Sequence, residues 1–227
     1  KLINQYFDLL KERYTDNQIR NIVDSNKYRI SDEIYKQMMC HYKTKVSGLV
    51  EVVSSISYDI KRPLFNSEQI MNAFDLYDDV PTGMDIKSIV FRGGKKWLTE
   101  FYKFDSGSEK DFAVSLENDR KVIHWLRPAK DQFDLQYKFE GIVHEYEPDF
   151  VVETEDTCYL VEVKRRSEMN DPQVLAKKQR GLDYCKKATQ WCIANHHKPW
   201  KYLFIPHDQI TETTSFESYL INFLVKE

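Results

Sequence analysis

The sequence predicts an α/β protein: a central mixed β-sheet flanked by helices, preceded by a smaller, mainly helical region. Three observations predict it. Apolar residues recur at helical spacing over residues 1 to about 45, whereas from Ile86 onward short β-branched and aromatic runs are separated by polar breaks. The later part then reads as helix, three or four strands, helix, strand and helix. At 227 residues, 41% hydrophobic and 14% aromatic, the chain can bury a core the size of one medium domain plus an accessory region.

The elements follow in chain order. Leu2, Tyr6, Leu9 and Leu10 mark the first helix, and Ser31-Asp32 ahead of Ile34, Met38 and Met39 reads as a second, capped start. This Met and aromatic stripe is expected to be core or interface rather than a ligand pocket. Val46 to Ile60, with Leu49, Val50, Val52 and Val53, fits either a helix or a strand. Asn66 to Asp85 contains Asp-Asp-Val-Pro-Thr-Gly, a break that divides an accessory region, 1–85, from the main domain, 86–227. There, Ile86, Ile89, Val90 and Phe91 lead to a Gly93-Gly94 turn, and Ser106 or Ser108 caps a helix over Glu109 to Asn118 that buries Phe112, Ala113, Val114 and Leu116. Strands are expected at Val122 to Leu126 and Leu135 to Phe139. Phe150-Val151-Val152 and Tyr159-Leu160-Val161, on either side of Glu155-Asp156-Thr157, read as a hairpin. A long helix over Pro172 to Asn195, a strand at Tyr202 to Ile205 and a helix over Phe216 to Val225 complete the order. On the long helix Leu175, Leu182, Cys185, Ala188 and Cys192 are expected to form one apolar face that also carries Gln179, whose amide would satisfy a strand end or point into a site.

Composition narrows the function. A net charge of −3 argues against an autonomous high-affinity DNA binder. From Lys164 to Lys187, however, eight basic residues face three acidic ones, a local balance of +5. Arg165, Arg166, Lys177, Lys178 and Arg180 therefore form a candidate surface for a DNA backbone, although such a run is more often a solvated helix face. Cys40, Cys158, Cys185 and Cys192 include no Cys-x-x-Cys pair and read as reduced thiols, the last two facing the core. Without a run of eighteen apolar residues or an apolar leader, the chain is expected to be soluble and cytoplasmic, with no membrane contact. Gly93-Gly94-Lys95-Lys96 lacks phosphate-loop spacing and reads as a plain turn. His196-His197 cannot form an i, i+4 zinc pair, His144 beside Glu145 reads as loop surface, and no Ser/His/Asp arrangement has the strand-turn-helix context of a nucleophile.

The chemistry concentrates in EPDFVVETEDTCYLVEVK, Glu147 to Lys164. Pro148 suits the first position of a strand, which puts Asp149 at the sheet margin. Side chains alternate along a strand, so Glu162 and Lys164 share a face, and in-register pairing brings Asp149 near Glu162. Carboxylate oxygens suit Mg²⁺, whose bound water becomes a nucleophile, and a neighbouring ammonium can orient that water or stabilise the transition state. As a bare pattern this is weak: an acidic-x-Lys tripeptide follows a given Pro-Asp within about twenty residues roughly one time in three. Glu162 and Lys164 would then be the exposed, cross-strand-paired face of an ordinary hairpin.

Pro148-Asp149, twelve further residues and Glu162-Val163-Lys164 resemble the PD-(D/E)xK nuclease signature. FDSGSEKDFAVSLE (Phe104 to Glu117), VIHWLRPA (Val122 to Ala129), YEPDFVVET, LVEVK, ATQWCIAN (Ala188 to Asn195) and WKYLFIPHDQI (Trp200 to Ile210) resemble, in consistent order, the C-terminal part of the restriction subunit of type III restriction enzymes. The resemblance implies a restriction-endonuclease-like core and a DNA endonuclease of bacterial defence. It implies Asp149 and Glu162 as catalytic metal ligands with the Val163 carbonyl as a third, Lys164 as the catalytic lysine, and Glu109, the acidic residue of the first core helix, as a further catalytic residue. Gln179 is a looser candidate, because the Tyr expected four residues later stands five later, at Tyr184. Mg²⁺, with Mn²⁺ as a substitute, is the implied cofactor, and ATP would act only through a helicase region outside this chain. Double-stranded DNA, that helicase region and a methyltransferase (modification) subunit are the implied partners. A catalytically inactive nuclease-like docking module and the nuclease domain of a repair helicase-nuclease stay open as alternatives.

Overall fold

The structure, a computed structural model, describes residues 8–41, 59–133 and 135–226. Leu2, Tyr6 and most of the segment from Val46 to Ile60 lie outside the described residues. The chain divides into two compact units, residues 1–51 and 52–227.

In the first unit α1 spans Asp16–His41. Its start is a reciprocal capping box: Thr15 Oγ1 accepts from the Gln18 amide at 3.4 Å, and Gln18 Oε1 accepts from the Thr15 amide at 2.9 Å. The helix runs through Ser31-Asp32, where the sequence pointed to a second start. Neither Gly nor Pro interrupts it, and Asp32 pairs with Lys36 one turn on at 2.7 Å.

The second unit opens with α2 (Ser67–Met71), capped by Asn66, and β1 (Phe74–Asp75), which pairs in parallel with β2 (Phe91–Arg92). Residues on both sides of the Pro81/Gly83 break thus join in one pairing. Ser106 then caps α3 (Gly107–Asn118), its Oγ accepting from the Glu109 amide at 3.3 Å. The main sheet follows: β3 (His124–Leu126), β6 (Phe150–Glu153), β7 (Cys158–Lys164) and β8 (Trp200–Pro206), in the spatial order β3-β6-β7-β8. β3, β6 and β7 run antiparallel, and β8 runs parallel to β7 after the crossover helix α4 (Pro172–Ala194). A last helix, α5, covers Phe216–Phe223. The unit is mixed α/β with a mixed central sheet.

Between β3 and β6 the chain makes a separate ribbon, β4 (Gln136–Phe139) and β5 (Ile142–Glu145), outside the main sheet. Sequence periodicity marked β4 but missed β5. The signal was Glu140-Gly141: both residues take positive φ, 48° and 83°, as a two-residue hairpin turn requires.

Two layers of core cover the sheet. Phe150, Val152, Tyr159, Val161, Leu203 and Ile205 pack with Phe112, Ala113 and Leu116 of α3 and with Phe216 and Tyr219 of α5. On the opposite face Leu160, Tyr202 and Phe204 pack with Cys185 of α4, Tyr137 of β4 and Tyr146. β7 lies between two strands and under helices on both faces, so a near-continuous apolar run is what its position requires. Glu162 breaks that run while only 1% exposed. Among the described residues, each outer side of the sheet is bridged once. Trp125 of β3 pairs with Trp97, its amide donating to the Lys96 carbonyl at 3.0 Å, and Leu203 of β8 pairs with Leu224. No described helix is long and apolar enough to cross a membrane.

Candidate active site

Asp149 directly precedes β6, and β6 pairs with β7 so that Phe150 stands opposite Val161. The next pair outward is Asp149 and Glu162, on the face that carries α4. Asp149 Oδ2 accepts from the Val163 amide at 2.7 Å, which fixes the carboxylate against β7. Burial, and then the neighbouring Glu162 charge, push the Asp149 carboxyl up from 3.8 to about 6.

Glu162 is the centre of the arrangement. Its Oε1 receives two ammonium groups, Lys164 Nζ at 2.9 Å and Lys177 Nζ at 2.6 Å. Its Oε2 is buried and has no hydrogen-bond partner among the described residues. A buried carboxylate oxygen without a donor costs on the order of 1–3 kcal/mol unless a ligand completes it. Burial opposes the Lys164 charge, but Glu162 and Asp149 outweigh it and hold the ammonium above its ordinary range. Sequence pattern alone would allow an exposed Glu162-Lys164 face; the buried Glu162 excludes it.

Lys177 reaches the site from α4. Asp171 caps that helix, accepting from the amides of Gln173 and Val174 at 2.8 and 3.3 Å, and Pro172 occupies its first turn. One turn beyond Lys177 lies Gly181, where a Cβ would come within 2.4 Å of the Tyr202 ring. The glycine therefore lets α4 close on β8. Beneath Lys177 lies Tyr146, with the ammonium 4.7 Å from the ring centroid, and the Tyr146 hydroxyl donates to that of Tyr202 at 3.3 Å. Burial first, then the Glu162 charge, raise both phenols well above their ordinary range. Both remain neutral.

Glu109 sits one layer away, at the start of α3. It accepts from the Asp105 amide at 3.0 Å and from Ser106 Oγ at 3.3 Å, and it is ion-paired to Arg127, which also pairs with Asp105. Arg127 lies over the rings of Phe104 and Phe150, at 5.7 and 6.0 Å. Burial works against its charge, yet Glu109, Asp105 and, more weakly, Asp149 outweigh burial and raise its pKa. Arg127 thus links the Glu109 layer electrostatically to Asp149.

The basic run divides in two. Arg165 and Arg166 are exposed after β7, Arg166 pairing with Asp208 at 2.7 Å. Lys177, Lys178 and Arg180 turn inward: Lys178 lies 5.0 Å over the Phe204 ring, and Arg180 Nε donates to the Gln136 carbonyl at 2.8 Å. Their long stems cover apolar surface while the charged ends find partners. The buried side of α4 passes through Gly181, Cys185 and Cys192, leaving Leu175 exposed. The apolar face expected through Leu175 and Gln179 is therefore rotated, because Gly181 makes the closest approach. Gln179 is exposed and bonds Asp183 at 3.0 Å along the helix, and Tyr184 packs edge-on to Phe133 and Trp200.

The sequence reading missed Arg127, Tyr146 and the inward role of Lys177. Arg127 and Tyr146 stood inside the segments that carry the resemblance, each beside an apolar strand. Three exposed carboxylates, Asp131, Glu145 and Glu147, converge within 4.8 Å around the base of the β4–β5 ribbon. Solvent and salt screen such a group, so it needs no ion.

No family model matches the chain, and no curated protein matches it significantly.

Proposed function

We propose that residues 52–227 form a metal-dependent endonuclease that hydrolyses DNA phosphodiesters, and that it belongs to a type III restriction enzyme. One observation carries the reading: an acidic residue buried at the end of an apolar strand, with one oxygen unpartnered, opposite a second carboxylate of raised pKa. The helix, three antiparallel strands, helix and parallel strand around that end support a restriction-endonuclease-like core.

These residues fit a hard divalent cation, because they offer carboxylate oxygens and no thiol or imidazole. Asp149 and Glu162 would hold Mg²⁺ or Mn²⁺, together with the Val163 carbonyl. When bound, the ion would supply Lewis-acid stabilisation of phosphate charge and a water of lowered pKa. Ionised Asp149 stays in place through the Val163 amide. Lys164, held cationic by Glu162, provides an ammonium at the mouth of the site to orient the attacking water and offset charge on the phosphate oxygens. Glu109 and Arg127 position the Asp149 end of the sheet without touching the reacting atoms. Arg165 and Arg166 extend toward solvent where a DNA backbone would pass. Choice of target and ATP-driven movement would lie with the methyltransferase subunit and the helicase region, and the chain would act in the bacterial cytoplasm.

The test is supercoiled-plasmid nicking with Mg²⁺ or Mn²⁺. Asp149→Ala and Lys164→Ala should each lower the rate by about a hundredfold or more, and unchanged nicking in both variants refutes the assignment. The two ammonium groups on Glu162 favour one other reading, a nuclease-like docking module in which Glu162 is a structural ion pair. That module would bind no Mn²⁺ through Glu162.

A further inference from the structure

We propose that Lys177 is a built-in counter-ion that competes with the divalent cation for Glu162 and so sets the metal concentration at which the site loads. The inference rests on the reading of Asp149 and Glu162 as metal ligands. Lys164 shares a strand face with Glu162 two residues away, so their contact follows from β geometry. Lys177 has no such excuse of proximity: it comes from another element and still makes the shorter contact, 2.6 Å against 2.9 Å.

Its placement is built on both sides. The Asp171 cap sets the start of α4, Gly181 sets the approach of the helix to Tyr202, and the Tyr146 ring supports the ammonium from below. Two carboxylates, Asp149 and Glu162, then face two ammonium groups, Lys164 and Lys177, and the site is electrically neutral without any ion. A divalent cation on the same Glu162 carboxylate would meet the Lys177 charge at close range. Even with water-like screening, removing that charge is worth roughly a tenfold change in cation affinity. The flexible four-carbon stem lets the ammonium withdraw rather than block the ion outright. Lys177 accordingly keeps Glu162 partnered when metal is scarce and yields when it is abundant.

The experiment is Mn²⁺ titration calorimetry on the 227-residue chain, paired with thermal unfolding in EDTA and in Mn²⁺. Wild type, Lys177→Met, Lys177→Arg and Glu162→Gln are compared. Lys177→Met should bind Mn²⁺ roughly tenfold more tightly, unfold at a lower temperature in EDTA, and gain more from Mn²⁺ than wild type does. Lys177→Arg, which keeps the charge, should behave like wild type. If Lys177→Met does not fold, Lys177→Gln carries the same comparison. Equal or weaker Mn²⁺ binding by the folded neutral variant, with wild-type binding that Glu162→Gln abolishes, overturns the role of Lys177 and leaves the metal site standing. Absence of Glu162-dependent binding in wild type overturns both.

Discussion

Replacing Asp149 by Asn should stabilise the protein at neutral pH without added metal, while abolishing the proposed nuclease activity. Asp149 has a folded pKa of about 6 against 3.8 in an unperturbed chain, because burial and the facing Glu162 penalise its charge. Between those values the folded state holds a proton that the unfolded state has released. Stability therefore falls as pH rises through that window, and the loss is complete above it, reaching about 3 kcal/mol near pH 7. Asn keeps an oxygen to accept from the Val163 amide, now made at 2.7 Å, and carries no charge. That figure is already net of the attraction of the Lys164 and Lys177 ammonium groups, so the gain should be up to about 3 kcal/mol. Urea unfolding in EDTA at about pH 7.5 and about pH 4 measures it: Asp149→Asn should be the more stable at the higher pH, and the gap should close in acid. A variant no more stable than wild type at neutral pH, or a gap independent of pH, refutes the reasoning. If the proposed site takes Mn²⁺, a saturating concentration should reverse the order, because the carboxylate protein gains more binding energy from the ion.

Two further outcomes test the supports of the site. Gly181→Ala places a methyl within 2.4 Å of the Tyr202 ring, an overpacking cost of about 1–3 kcal/mol set against a helix gain of at most about 1 kcal/mol; a net loss should appear in the urea midpoint, and a gain would contradict the close approach. Arg127→Met leaves Glu109 buried without its cation, so about 2–4 kcal/mol should be lost. The double variant Arg127→Met with Glu109→Gln should recover most of that in the same assay, whereas simple additivity would show that the two do not act as a pair.

What could be read from sequence depended on how local the cause was. The cap at Ser106, the helix from Pro172 and the strands around Glu155-Asp156-Thr157 are dictated by neighbouring residues, and they stand where periodicity and cap chemistry place them. Asp149, Glu162 and Lys164 were legible for the same reason: strand alternation and one register bring them together. Features that depend on distant contacts were not. The burial of Glu162 follows from β8 and α4 covering β7, the direction of Lys177 from where Gly181 meets Tyr202, and the pairing of Glu109 from the arginine that follows β3. Charge composition shows that a helix is basic, but it does not show which of its cations turn inward.

The two single-residue bridges on the sheet margins carry a consequence for assembly. An unpaired outer strand is a template for another chain, and proteins that leave one open risk strand-to-strand association. Here Trp97 lies along the outside of β3 and Leu224 along the outside of β8, with the Val225 amide donating to the Tyr202 carbonyl at 3.0 Å. The Trp125 amide and carbonyl and the Tyr202 carbonyl, which a recruited strand would need, are already taken. A second copy or a partner subunit cannot pair with the sheet at these two points without first displacing the segments around Trp97 and Leu224.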